Sequence, residues 1–129
     1  MNDKISEIQR DAISLGAIIN APKKFLVIKT EPSSDGVPFL VYQDKIFVYS
    51  SIERDYEIFK KITSSEDEVL YWILSRAVSK MVLDLYSSEF GDSEELVGKM
   101  LVRRVDLMSR LNPAWGGRVV HEYRSGIES

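Results

Sequence analysis

The chain has 129 residues, 44% of them hydrophobic and 29% charged, with 7 Gly and 4 Pro, which excludes disorder and fibrous repeats and reads as one domain over residues 1–129. It contains no cysteine and one histidine, so disulfide frameworks, thiolate metal sites, iron–sulfur clusters and cysteine nucleophiles are excluded. The net charge of −3 is unevenly spread: residues 65–95 set eight acids against Arg76 and Lys80, a balance of −6, whereas residues 96–129 come out at +3.

From about Asp3 to Ile19, the residues Ile5, Ile8, Ala12, Ile13 and Leu15 keep close to a 3.6-residue repeat and predict an amphipathic helix. Asn20-Ala21-Pro22 stops it, because proline disfavours helical geometry in the residue before it. Short runs rich in β-branched and aromatic residues follow, and they predict an antiparallel meander of about four strands. The strands are Phe25 to Ile28, Val37 to Tyr42, Lys45 to Tyr49 and about Tyr56 to Ile62. Glu31 to Gly36 is a loop by composition, and Gln43-Asp44 is the expected hairpin connection. Tyr42, Phe47, Tyr49, Tyr56 and Phe59 read as core packing rather than a nucleobase platform, since the region has balanced charge.

Ser65-Glu66-Asp67-Glu68 matches a capping box, in which Ser65 accepts from the Glu68 amide and Glu68 bonds back to the Ser65 amide. The helix it opens carries Leu70, Leu74, Ala77, Val78, Met81 and Leu85 at helical spacing, with Val69, Trp72, Ile73 and Val82 widening the apolar arc. Ser93 with Glu94 and Glu95 caps the next helix, from about Glu94 to Leu111, with Lys99, Arg103, Arg104 and Arg110 outward. Asn112-Pro113 starts a last helix through Trp115 to about Tyr123, which Gly116-Gly117 is expected to weaken. The predicted class is α+β: an N-terminal helix and the meander, with two to three C-terminal helices packed on it.

Catalytic sets are sparse. His121 reads as a surface or helix-end residue, and neither a calcium loop nor a phosphate-cradling glycine loop is present. Neither cofactor nor metal is expected. Asp84, Glu89, Asp92, Glu94 and Glu95 cluster within twelve residues, and the readings are a solvated face, an electrostatic docking surface or, least of all, a catalytic carboxylate pair. Trp72 and Trp115 read as packing anchors, with Asn112 and Pro113 as the cap and first turn of the last helix.

Three segments carry a resemblance. Asp67-Glu-Val-Leu-Tyr-Trp-Ile-Leu74, the Ala-Val-Ser-Lys-Met81 stretch and Arg110-Leu-Asn-Pro-Ala-Trp115 together resemble the immunity protein 63 family of bacterial polymorphic toxin systems, over roughly Val37 to Arg118. The resemblance implies a cytoplasmic, non-enzymatic inhibitor of a secreted toxin, of the polymorphic or contact-dependent kind, that covers the toxin's active site or substrate surface. Many toxin domains attack nucleic acids through basic surfaces, so an acidic belt fits a nuclease as partner. Glu94 and Glu95 have a local role at a helix start, which leaves Asp84, Glu89 and Asp92 as the acids most expected to touch it. The rival class is a nucleic-acid-associated regulator using Arg103, Arg104, Arg110 and Arg118, disfavoured by the net charge. No run approaches the ~20 apolar residues of a membrane span, so membrane contact is not expected. Nor does the mixed-charge start of the chain resemble an export signal.

Overall fold

The computed structural model describes residues 3–88 and 94–126. Helix α1 (Asp3–Ile18) leads into a 3₁₀ turn (Lys23–Phe25), and strands β1 (Phe39–Gln43), β2 (Ile46–Glu53) and β3 (Tyr56–Thr63) form one antiparallel sheet in chain order. Helices α2 (Glu66–Leu85), α3 (Glu94–Leu111) and α4 (Pro113–Arg124) complete the α+β arrangement.

The sheet has three strands, not four. Phe25 to Ile28 was expected as a strand, but a side chain from α1 takes the hydrogen bonds a ladder would have made. Gln9 Nε2 donates to the Leu26 carbonyl at 2.8 Å, and its Oε1 accepts from the Ile28 amide at 2.8 Å. With Leu26 and Ile28 buried and their backbone groups satisfied, the segment docks on α1 and touches the sheet only through an isolated bridge from Lys29 to Phe39.

Both hairpins turn on two residues in the left-handed region: Asp44 and Lys45 (φ 55° and 65°), and Arg54 and Asp55 (φ 50° and 71°). The first turn lies one residue later than the sequence suggests, pairing Gln43 with Ile46. Positive φ at both central positions is the twist-matched hairpin geometry, here built without glycine. A register shift between Ser51 and Ile52 bends β3 beside β2.

Leu40, Phe47 and Tyr49 face the helices and are buried, while Tyr42 and Phe59 are partly so. Tyr56 departs from the core reading at 75% exposed, because it directly follows the Arg54-Asp55 turn. Helix α2 is the central element, touching the sheet, the 3₁₀ turn, α1 and α3, while α4 packs on α3. Val69, Leu74, Ala77, Val78 and Val82 of α2 meet Ile5, Ile8 and Ala12 of α1 and Leu107 and Met108 of α3 in one apolar cluster.

Gly116, expected to weaken the last helix, is where α4 approaches α3 most closely. A Cβ there would lie 1.8 Å from Ser109 Oγ and 3.1 Å from the Val105 carbonyl oxygen. Gly117 faces open space.

Candidate functional site

Three constellations of chemistry-bearing side chains emerge from this frame. The first joins α2 to α4. Arg118 Nη1 donates to Glu68 Oε1 at 2.7 Å and Nη2 donates to Glu68 Oε2, while Nε donates to Glu122 Oε2 at 3.1 Å. The Tyr71 hydroxyl donates to Glu122 Oε1 at 2.6 Å, and the guanidinium lies 3.8 Å from the Tyr71 ring centre. Trp115 meets Tyr71 edge-on, with ring centres 5.7 Å apart.

The Arg118 hydrogen bonds hold the Glu68 carboxyl below the usual carboxylate range. Burial, and then the bond to Glu122, raise the Tyr71 hydroxyl well above the ordinary tyrosine value. The capping box is thus half-formed. Ser65 Oγ accepts from the Glu68 amide at 3.1 Å as expected, but the Glu68 carboxylate is engaged by Arg118 and the Ser65 amide donates to Thr63 Oγ1 at 3.1 Å instead.

The second constellation is a groove between the sheet and α2, enclosing about 240 Å³. Its floor is aromatic. Trp72 lies nearly parallel to Tyr49, with ring centres 5.9 Å apart, and Tyr49 meets Phe59 at 5.6 Å. Lys61 on β3 holds its ammonium 5.3 Å from the Phe59 ring centre and 5.5 Å from that of Trp72. Across from it, Arg76, Ser79, Lys80 and Leu83 recur at helical spacing along α2. A small hollow sharing Pro38, Tyr49 and Arg76 extends the groove toward Phe25 and Lys29.

Among the described residues, Lys61, Arg76 and Lys80 make no ion pair. Burial lowers the Lys61 ammonium from its ordinary value, with the Arg118 charge acting in the same direction and Glu122 and Glu68 opposing. Burial also pushes the Tyr49 hydroxyl up to about 12. The three cations come from a strand and a helix, so no spacing in the sequence groups them. The signal available was the α2 stripe of Trp72, Arg76 and Lys80, in which Arg76 and Lys80 are the two bases of an otherwise acidic stretch.

The third constellation is the acidic corner. Asp84 is exposed at the end of α2, one turn beyond Lys80, and Glu94 and Glu95 are exposed at the start of α3, where Glu95 pairs with Lys99 at 3.8 Å. Glu89 and Asp92 lie outside the described residues. Trp72 and Trp115 are buried, and Asn112 Oδ1 accepts from the Ala114 amide at 3.0 Å with Pro113 in the first turn of α4.

The arginines of the rival reading are not equivalent. Arg118 is withdrawn into the network with Glu68 and Glu122. Arg110 pairs with Asp106 at 2.8 Å and, with Arg103, lines a separate cavity beside Ile19, Val82 and Leu107. His121 is exposed on α4. No helix among the described residues is long and apolar enough to cross a membrane.

The family model for immunity protein 63 matches residues 43–125, from the end of β1 through α4, and so takes in all three constellations. No curated protein and no solved structure matches the chain.

Proposed function

Because the chain belongs to the immunity protein 63 family, we propose that it binds and neutralises the cognate toxin domain of a bacterial polymorphic or contact-dependent toxin system, acting in the cytoplasm as an inhibitor and not as an enzyme. The single observation that carries this reading is the family match, which spans more than half of the chain. The surfaces support it physically. An exposed acidic corner at Asp84, Glu94 and Glu95 stands one turn from an aromatic groove rimmed by Lys61, Arg76 and Lys80. Separated patches of opposite sign on a packed scaffold orient a partner and accelerate its docking. Inhibition by covering the toxin's active site or substrate surface requires no chemistry from the chain itself.

The test is co-expression with the toxin domain encoded beside this gene. Growth should be rescued and the two chains should co-purify at equal stoichiometry. Arrest of cells that hold both chains at comparable levels would overturn the reading. Charge reversal at Asp84, Glu89 and Asp92 should slow association most at low salt while leaving the fold intact. Unchanged association would make the acidic corner a solvated face only.

A further inference from the structure

We infer that the groove between the sheet and α2 receives an acidic segment of the partner, its carboxylates seated among Lys61, Arg76 and Lys80 and its apolar side chains against the aromatic floor. The inference rests on the toxin-binding reading and specifies the chemistry of one contact. It reverses the sign that the sequence alone suggests, because the expected contact was an acidic belt on a basic partner.

Charge complementarity identifies the occupant. Three cations from two elements converge on one concavity, and none is ion-paired among the described residues. Lys61 is held over Phe59 and Trp72, in surroundings where burial disfavours its charge. A carboxylate placed there reverses that penalty and gains a charge-assisted hydrogen bond. Leu83, 57% exposed at one end, and Val27, 59% exposed beside the adjoining hollow, offer apolar contact on either side of the charges. Aromatic side chains with arginine in a partly desolvated concavity are also the composition of interface hot spots.

A nucleic acid fits less well, although phosphates would also attract these cations. Base stacking needs a free ring face. Here Trp72 is only 7% exposed, one face lies along Tyr49, and Lys61 stands over the ring. The chain as a whole is negative, at −3, so no extended positive field surrounds the groove.

The experiment has two arms. In the first, the full chain and its Arg76→Gln/Lys80→Gln and Lys61→Gln/Arg76→Gln/Lys80→Gln variants are titrated against the co-encoded toxin domain. Circular dichroism and melting verify that each variant is folded. The triple variant should bind at least about tenfold more weakly, with a shallower salt dependence. In the second arm the probe is a synthetic peptide of alternating Asp, Glu and Leu residues, followed by tryptophan emission, with single-stranded DNA of matched charge as comparison. The peptide should give a saturable change with wild type that the triple variant loses, and DNA should give none. The inference is overturned if the folded triple variant binds the toxin as wild type does, if the peptide leaves the emission unchanged, or if DNA occupies the groove in preference to the peptide. A toxin that ignores wild type while the peptide still binds overturns the functional reading and leaves the groove's chemistry standing.

Discussion

Arg118 illustrates how much one side chain can do when its geometry matches two carboxylates. Its planar fork serves Glu68 with two nitrogens and Glu122 with the third, while its face covers Tyr71. Arg118→Met should cost about 1.5–3 kcal/mol, because Glu68 and Glu122 are left partly buried and unpaired. Arg118→Lys should recover only part of this, since an ammonium cannot make the bidentate contact. Urea denaturation of the three proteins measures both.

The same network sets a pH dependence. Glu68 holds its proton more weakly in the folded chain than its unfolded value of ~4.3, so its contribution is complete above that value and is lost as pH falls through the depressed folded value. Denaturation midpoints should therefore fall more steeply below about pH 4.3 in wild type than in Glu68→Gln. At the alkaline end, the raised hydroxyls of Tyr49 and Tyr71 contribute stability below the unfolded value of ~10, and it is lost above. Part of the tyrosinate absorbance should then appear only as the chain unfolds.

Among the elements, α4 separates two glycines that look alike in sequence. A methyl group on Gly116 would press on Ser109 Oγ and the backbone of Val105, so Gly116→Ala should destabilise the chain by about 1–3 kcal/mol. Gly117→Ala meets nothing within 4 Å and should be neutral or stabilising by up to about 1 kcal/mol, through helix propensity alone. Thermal melts of the pair decide it, and equal effects would mean that the close approach of α3 and α4 is not required. The 3₁₀ turn and the segment after it make a related point. Their path depends on Gln9, which replaces a neighbouring strand as hydrogen-bond partner for residues 26 and 28.

Taken as a whole molecule, the sheet and the helical layer are joined by the stack of Trp72 on Tyr49 and closed on the other side of α2 by Tyr71 against Trp115. Trp72→Ala should cost about 3–5 kcal/mol, a large share of the stability of a chain this size. A melting temperature within a degree or two of wild type would show that the layers hold without it. The outer face of the sheet is more open. Val41, Val48 and Ile62 form one cross-strand row, with Ile62 60% exposed, so the two sides of the sheet differ sharply in burial.

What the sequence determined by itself is whatever local interactions specify. The helical repeats of Ile5, Ile8 and Ala12 and of Leu70, Leu74 and Val78, the Ser65 and Asn112 caps and the switch from strands to helices at Ser65 are all legible within a turn or two of chain. The tertiary structure alone decided the features that depend on distant pairings. Gln9 displaced a strand from 17 residues away, Arg118 took Glu68 from its cap partner across 50, and Lys61 met Arg76 and Lys80 only because β3 lies against α2. Periodicity reports which face of an element is apolar, but not which element covers it, and a charge gains its role from the groups that folding places opposite it.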